Sequence, residues 1–584
     1  MDIGLQSRSY TTWQLIKSYW QSNQRFFAYG MLGTALVMTI ALVGMDVVFN
    51  KWYNYFYDAL QDYNKKNVID LLVVFMFIAA IYIVIAVYRF YVQSYLGLRW
   101  RKWLTRQFIN RWLEKRSYYY LENFDEVTDN PDQRIQEDVG SIVNLSLELL
   151  IGLVSSVTTI GAFIYVLWTL SGDLAIPLGS FGTFHISGYL VWVAIIYAII
   201  GTYCTIRIGK PLIQLNFDQQ RKEANFRFAA VDLRSHAEHV ALYRGEHHEQ
   251  TVLNQLVDIF LNNWYMIILR QKLLLWFTAG YNQVSVMLPL LVALPNYFNK
   301  FFKLGGLIQT LQAFGKIQDA LSFIVNSYTR IAEWQAVNRR LLTFINHIYG
   351  VEKHAEDKNK FKYLKNVSNK ITVKHVNVYT PNHEKLLENI NIELEHGNHY
   401  LIKGPSGIGK STFVRVIAGI WPYGAGEIYL PEKQKIMYLP QKPYMPIGTL
   451  EEALLFPDDV DSLPKDKLIE LLNDVKLPEL VNELDHATMW SEHLSSGELQ
   501  RVAFIRVLIH KPDWVFLDET TSALDLESEK YLYSLLQTKL PHCTIVSVGH
   551  RPSLDAYHTH IINFSEYSVA REAVGDQNSD SVVM

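Results

Sequence analysis

Cysteine is almost absent from this chain of 584 residues, which holds only Cys204 and Cys543. Two isolated thiols exclude a disulfide framework and show no metal-ligand spacing. Charge is scarce as well: charged residues make up 19% of the chain and the net charge is −3, whereas apolar residues reach 49%. No global basic field is available to attract nucleic acid, so no nucleic-acid partner is expected. These averages are typical of a chain that is half membrane-embedded and half soluble.

Long apolar runs are confined to the first half of the chain. A helix needs about 20 mostly apolar residues to cross a lipid bilayer. Six stretches are predicted to do so: residues 28–49, 70–92, 147–170, 186–206, 273–297 and 304–325. The sixth is the most polar, and a soluble amphipathic helix stays open as its alternative.

Loop charges predict the orientation of these helices. Residues 95–144 and 207–272 are rich in Lys and Arg, whereas 171–185 hold neither. The positive-inside rule then places both basic connections and both termini in the cytoplasm. Residues 1–27 lack the apolar core and cleavage site of a signal peptide, so no cleaved leader is predicted.

The two basic connections are predicted to be helical hairpins. Residues 98–116 and 215–234 contain few helix breakers, so the membrane helices are expected to continue into the cytosol. Their turns are expected near 124–131 and 243–245.

The sixth stretch carries polar side chains on one helical face, at positions i, i+3, i+7 and i+10. They are Gln309, Gln312, Lys316 and Asp319. Polar groups at membrane depth point to function by default, so this face is predicted to line a wide hydrophilic substrate cavity.

Composition changes after the last apolar run. Residues 1–345 are interpreted as the membrane domain, 346–370 as a charged linker, 371–572 as a soluble domain and 573–584 as a polar tail. Residues 371–379 alternate like a strand, and 400–403 end a second strand before a glycine-rich turn. Residues 514–517 and 544–548 are typical of buried parallel strands, so the soluble domain is predicted to be α/β.

The glycine-rich turn is a P-loop. It comprises Gly404, Pro405, Ser406, Gly407, Ile408, Gly409, Lys410 and Ser411, with Thr412 following in the helix. Its backbone N–H groups would wrap the phosphates of a nucleotide, Lys410 would reach the β- and γ-phosphates, and Ser411 would ligate Mg²⁺. Residues 514–519 end in Asp518, which would order Mg²⁺ through water, and Glu519, which would polarise the attacking water.

A second motif indicates which class of P-loop protein this is. Residues 494–500, LSSGELQ, resemble the signature of ATP-binding cassettes, and Gln441, Asp525 and His550 stand in the matching order and spacing. The resemblance implies ATP and Mg²⁺ as cofactors. It gives Gln441 a contact to Mg²⁺ and His550 a contact to the γ-phosphate. Tyr379 precedes Lys410 at a distance that suits stacking on adenine, with simple packing as the alternative.

The resemblance also implies a dimer. In that superfamily the signature meets ATP held by the opposite cassette, so Ser495, Gly497 and Glu498 would complete the site of a second copy. Ser496 and Glu498 depart from the commonest signature, which has glycine and glutamine there, and this puts the rate of turnover in doubt. One cassette per chain favours a homodimer.

Finer likeness covers nearly the whole chain. LRWRKWLT (98–105), NPDQRI (130–135), LYRGE (242–246) and GIWP (419–422) are similar to the group of peroxisomal acyl-CoA half-transporters and SbmA/BacA-related bacterial transporters with a fused ATPase. The implied fold is a six-helix type IV exporter-like domain fused to a cassette, in a bacterial inner membrane. Its cargo would be a bulky hydrophilic solute such as a peptide or a cobalamin-like compound, and a fatty acyl substrate is the alternative. The presence of Glu519 and His550 argues against a non-transporting channel or regulator.

Overall fold

The computed structural model describes residues 10–124, 130–171, 173–177, 183–298, 300–458 and 463–569. The chain divides into two compact units, Met1–Val351 and Glu352–Met584. The predicted tail at 573–584 and most of the predicted turn at 124–131 lie outside the described residues.

Helices dominate the described part of the first unit, which also holds two short antiparallel strands. The elements are α1 Thr12–Trp20, α2 Arg25–Gln61, α3 Lys65–Leu113, α4 Ser117–Phe124, α5 Pro131–Gln133, α6 Val139–Ser171, β1 Asp173–Pro177, β2 Thr183–Ser187, α7 Tyr189–Gly209, α8 Pro211–Ser235, α9 Ala237–Tyr243, α10 Glu246–Phe298, α11 Leu304–Leu321 and α12 Phe323–Lys358. A π-helical turn, Arg134–Asp138, joins α5 to α6.

Five helical segments are long and apolar enough to cross a membrane, among the residues that the structure describes. They are Arg25–Gln61, Lys65–Asn123, Pro131–Ser171, Tyr189–Ser235 and Glu246–Leu294. Each contains all or nearly all of one of the first five predicted spans, and large apolar side chains such as Met76 and Phe77 are exposed on the second segment. The first five predicted spans therefore correspond to helices of suitable length and composition.

The sixth predicted span is not among those segments. Residues 304–325 form α11 and the start of α12, with Ser322 between the two helices. More than half of the residues of α11 are buried, and the helix packs against α2 and α6. Because neighbouring helices cover Gln309, Thr310 and Gln318, α11 tolerates a composition that is too polar for a helix facing lipid.

Both predicted cytosolic extensions are helical. Helix α3 continues to Leu113, and α8 covers residues 211–235 as one helix. The second predicted turn is also present, since Arg244 adopts a left-handed conformation, with φ 54°, between α9 and α10.

A buried ion cluster ties the π-helical turn to α12. Asp138 accepts hydrogen bonds from Arg340 Nε at 2.9 Å and Arg340 Nη2 at 2.6 Å, and from Arg134 Nη1 at 3.2 Å. All three side chains are buried. Two guanidinium groups therefore share one carboxylate away from water.

The described part of the second unit is an α/β domain. Its elements are β3 Asn359–Asn366, β4 Lys370–Tyr379, β5 Lys385–Glu395, β6 Tyr400–Lys403, α13 Lys410–Ile417, β7 Gly424–Pro431, β8 Ile436–Leu439, β9 Gly448–Thr449, α14 Leu450–Leu455, α15 Lys465–Asp474, β10 Ala487–Thr488, α16 Trp490–His493, α17 Ser496–His510, β11 Trp514–Asp518, α18 Leu526–Lys539, β12 Thr544–Val548 and β13 His560–Asn563.

Two main sheets organise this unit. The first is parallel with the strand order β13-β6-β12-β11-β8, and the second has the order β3-β7-β4-β5. Strands β11 and β12 are almost wholly buried, as their apolar runs predict. The carboxyl ends of β6, β11 and β12 lead into the P-loop, Asp518-Glu519 and His550.

The structure differs from the prediction that residues 346–370 form a linker. Helix α12 continues to Lys358, and β3 pairs in parallel with β7 at the edge of the second sheet. Phe361 is buried, whereas Lys360 and Lys362 beside it are exposed. The lysines that suggested a linker therefore belong to the solvent face of an edge strand.

Candidate functional site

The P-loop runs directly from β6 into α13. Gly409 stands before the first residue of α13 with φ 107°, and a Cβ there would lie 2.9 Å from the Leu386 side chain. Only glycine accepts both the backbone conformation and the close approach. Thr412 lies in the first turn of α13, whose N–H groups and positive dipole end form an anion site with the loop.

Lys410 links the loop to a distant part of the chain. Its Nζ donates to the carbonyl oxygens of Gly404 at 2.9 Å and Pro405 at 2.8 Å, and lies 2.9 Å from His550 Nε2. Burial lowers the pKa of Lys410, and the carboxylates of Glu519 and Asp518 oppose that shift. The fold thus brings His550 to the P-loop, as the motif order predicts.

Ser411 and Asp518 form the second contact of the site. The Ser411 hydroxyl donates to Asp518 Oδ1 at 2.8 Å. Burial raises the pKa of Asp518, and the hydrogen bond from Ser411 counteracts this. Mg²⁺ prefers one or two carboxylates together with substrate phosphates, so this oxygen pair fits that ion. Within the described ranges, no group of three His, Cys, Asp or Glu side chains gathers as a metal site.

Glu519 lies between Gln441 and His550. Its Oε2 accepts from Gln441 Nε2 at 3.2 Å, and its Oε1 lies 3.5 Å from His550 Nε2. Glu519 has φ 49°, and its backbone N–H donates to the Val548 carbonyl oxygen at 3.0 Å. A positive φ in a non-glycine residue is held only where the surroundings determine it, and such residues cluster at functional sites.

The signature residues begin α17. Ser495 is the N-cap, with its backbone N–H and hydroxyl both donating to Glu498 Oε2 at 2.7 Å. Glu498 thereby completes a capping box, and these hydrogen bonds give its carboxylate a role at the start of α17. In the parts of the chain that the structure describes, no hydrogen bond joins Ser495 or Gly497 to the P-loop residues 404–411. Asp525 is likewise an N-cap, for α18, with Ser528 as its partner.

Sequence reasoning missed the residues that support these loops. Buried Gln500 donates to the Ser522 hydroxyl at 3.2 Å and accepts from the Ala523 N–H at 3.0 Å. Arg551 donates to the Ser522 carbonyl oxygen at 2.8 Å and pairs with buried Glu529 at 3.4 Å. These contacts connect α17, residues 522–525 and the segment after His550. No local sequence pattern predicts them.

Tyr379 ends β4. Its N–H donates to the Tyr423 carbonyl oxygen, and its own carbonyl accepts from Trp421 Nε1, both at 3.0 Å. Its ring is half-buried. Stacking of that ring on adenine stays a prediction.

A cavity lined by both polar and aromatic side chains lies within the helical unit. Gln312 and Lys316 line a cavity of about 300 Å³, where Lys316 Nζ pairs with Asp46 Oδ1 at 2.9 Å. Gln309 is instead buried against α2 and accepts from Asn54 Nδ2, while Asp319 is exposed and does not line this cavity. The predicted polar face is therefore divided between a helix interface and a cavity. Asp46 was overlooked, although a carboxylate inside the apolar run 28–49 is itself a signal.

Comparison with known proteins accounts for both units. Residues 15–298 match the family described as ABC transporter transmembrane region 2, and residues 387–522 match the family described as ABC transporter. An ABC transporter ATP-binding protein of Haemophilus influenzae is 37% identical over 523 residues, covering 90% of this chain and 86% of the relative. The chain belongs to the ABC transporters.

Further relatives define its type. The Escherichia coli inner membrane ABC transporter ATP-binding protein YddA is 32% identical over 547 residues, covering 92% of this transporter and 94% of YddA. The mouse ATP-binding cassette sub-family D member 3 is 28% identical over 539 residues, covering 84% and 78%. The transporter is thus a half-transporter of the subfamily D type, a multi-pass membrane protein whose cassette couples ATP hydrolysis to transport.

A solved structure confirms the fold. A bacterial Atm1-family ABC exporter with ATP bound matches with a TM-score of 0.75 at 18% identity, over 93% of the transporter and 94% of that chain. Such half-transporter folds imply that two halves come together in the membrane.

A buried histidine eight positions after His550 predicts the pH dependence of the transporter's stability. Burial lowers the pKa of His558 to about 4, while its Nδ1 donates to the Leu554 carbonyl and its Nε2 accepts from Ser547. Below about pH 6.5 only the unfolded chain gains this proton, so stability falls towards pH 4 by up to about 1.4 kcal/mol per pH unit. Thermal midpoints measured from pH 7.5 to 5 should fall less steeply in His558→Gln. The exposed control His486→Gln should keep the wild-type slope, and equal slopes for all three would refute this assignment.

Proposed function

We propose that this chain acts as a homodimer that uses ATP to move a bulky hydrophilic solute, such as a peptide or a cobalamin-like compound, across the bacterial inner membrane. The cavity that holds Asp46, Gln312 and Lys316 carries this proposal. Charged and amide side chains are costly at membrane depth and persist where they contact a solute or water. A fatty acyl substrate is the second candidate, favoured by the aromatic side chains in the same cavity.

The cassette residues act on the phosphates of ATP. The N–H groups of residues 404–409 and of the start of α13 hold the phosphates, and Lys410 turns from the loop carbonyls to the β- and γ-phosphates. Ser411 and Gln441 would hold Mg²⁺, with Asp518 reaching it through water, and the ion would neutralise charge on the phosphate oxygens.

Glu519 and His550 act where the bond to the γ-phosphate breaks. Glu519 orients and polarises the attacking water, and Gln441 and His550 hold its carboxylate in place. His550 also contacts the γ-phosphate, because its ring already lies beside Lys410.

A second copy completes each ATP site. Ser495 and Ser496 are exposed, and Gly497 and Glu498 are partly exposed, so this end of α17 is accessible to the nucleotide of a partner. Asp525 lies at the start of α18 and would face the same junction. ATP binding closes the two cassettes and hydrolysis releases them, which drives alternating access in the membrane helices.

Transport by everted and right-side-out vesicles tests the proposal. ATP-dependent accumulation of a labelled peptide or corrinoid in one orientation is the expected result, and it also gives the direction of transport. Accumulation of a fatty acyl compound alone would favour the second candidate. ATP hydrolysis without accumulation of any of these solutes would contradict transport of both classes.

A further inference from the structure

The cavity between α2 and α11 has two chemically different sides. Asp46 and Asn50 are one helical turn apart on α2, and Gln312 and Lys316 are one turn apart on α11. Helix α2 thus presents a carboxylate and a carboxamide, while α11 presents an ammonium and a carboxamide. One side is suited to accept hydrogen bonds and the other to donate them.

Asn50 offers an acceptor that the fold leaves unused. Its Nδ2 donates to the Gln309 carbonyl oxygen at 3.1 Å, which fixes the orientation of the amide and leaves Oδ1 as the free acceptor. Among the described residues, Oδ1 has no hydrogen-bond partner, although the residue is only 3% exposed. Buried polar atoms are normally satisfied, and Asn50 lines the cavity, so a ligand N–H that reached this oxygen would supply the missing hydrogen bond.

The ion pair selects against ligands with a single charge. Lys316 and Asp46 neutralise each other at 2.9 Å, and both still reach the cavity, with 40% and 22% of their side chains exposed. A lone anion that captured Lys316 would leave Asp46, whose side chain is only 22% exposed, charged and unpaired, which is unfavourable. A ligand that brings both an ammonium and a carboxylate replaces the internal pair without leaving either charge alone.

Aromatic rings form another part of the cavity wall. Phe49 packs against Phe75 at 5.7 Å and Tyr82 at 5.8 Å between ring centroids, and Tyr53 and Phe163 line the same space. Such rings take up apolar or aromatic groups and also favour a nearby ammonium.

We propose that this cavity is a subsite for a zwitterion with an apolar body, of which a short peptide with free termini is the matching solute. The ligand ammonium binds Asp46 and Asn50 Oδ1, its carboxylate binds Lys316 and Gln312, and its apolar side chains lie on the rings. The inference rests on the proposed transport function and specifies the chemistry of the solute.

The test uses the dipeptide Phe-Phe on the full-length protein in phosphatidylglycerol vesicles. Binding of the radiolabelled dipeptide is compared with competition by its N-acetylated and C-amidated forms. Each blocked form should bind at least about tenfold more weakly, since each loses a charge-assisted hydrogen bond. Asp46→Asn should remove the discrimination at the amino end only, and Lys316→Gln that at the carboxyl end only.

A second ion pair between the ends of the same two helices provides a matched control. Lys303 on the loop before α11 pairs with Asp62 after α2 at 2.7 Å, but both side chains are more than half exposed. Asp62→Asn should leave affinity and discrimination unchanged. Equal binding of the free and blocked dipeptides, or the same effect from Asp46→Asn and Asp62→Asn, would overturn the proposal.

The experiment also distinguishes a lipid ligand from a peptide, and failure of the subsite from failure of the proposed function. Adding phosphatidylethanolamine supplies a lipid headgroup with an ammonium and a phosphate. If that lipid stimulates ATP hydrolysis in an Asp46-dependent way while Phe-Phe does not bind, the peptide assignment is overturned. ATP hydrolysis is measured in every sample, so failure of this subsite in a protein that still hydrolyses ATP and transports another solute leaves the proposed function intact.

Discussion

Glu519→Gln should lower ATP turnover by roughly two to four orders of magnitude, the usual contribution of a general base. The carboxylate lies at the end of β11, within hydrogen-bond reach of Gln441 and 3.5 Å from His550. Glutamine keeps the size of the side chain but cannot take a proton from water. Phosphate release from the reconstituted protein, measured at saturating ATP, gives the rate.

Binding must be separated from chemistry for that result to be informative. The variant should bind ATP at least as tightly as the wild type, because Lys410, Ser411 and Asp518 are unchanged and their contacts do not pass through Glu519. Glu432→Gln, an exposed position after β7, serves as the control and should hydrolyse ATP normally. Turnover within tenfold of the wild type in Glu519→Gln would show that another group activates the water.

Much of the cassette could be predicted because its motifs are local. The P-loop, the end of β11 and the start of α17 each place their residues through one strand or one helix cap, so short stretches of sequence suffice. The supporting contacts of Gln500 and Arg551 could not be predicted, because they join segments separated by more than 20 residues and two of them go to backbone atoms, which carry no sequence signal.

The membrane unit was less predictable for a different reason. Apolar runs identify a helix that faces lipid, but α11 faces other helices, so hydropathy describes it poorly. The polar side chains of α11 point in different directions, since Gln309 is buried against α2 and Lys316 reaches the cavity. The partner of Lys316 lies 270 positions earlier in the chain, and only the packing of α2 against α11 shows that Asp46 belongs to the same site.

Asp138→Asn should destabilise the protein by about 3–5 kcal/mol, the usual cost of breaking a buried ion pair. Asp138 is the shared acceptor for Arg134 and Arg340, and the variant would leave two guanidinium groups facing each other away from water. The thermal midpoint of the purified full-length chain should fall clearly. Arg330→Gln is the control: it breaks the Glu148–Arg330 pair, which is 44% and 58% exposed, so its expected cost is at most about 1 kcal/mol.

A third variant separates charge burial from packing at this cluster. Replacing Asp138, Arg134 and Arg340 together by Leu, Leu and Met removes every buried charge, and such apolar replacements are often neutral or stabilising. The triple variant should therefore recover most of the stability that Asp138→Asn loses. If it recovers stability but hydrolyses ATP without transport, the polar cluster serves the movement of α12 against the π-helical turn, where π-turns often mark functional positions. A triple variant as unstable as Asp138→Asn would instead show that side-chain shape, rather than the paired charges, holds this junction.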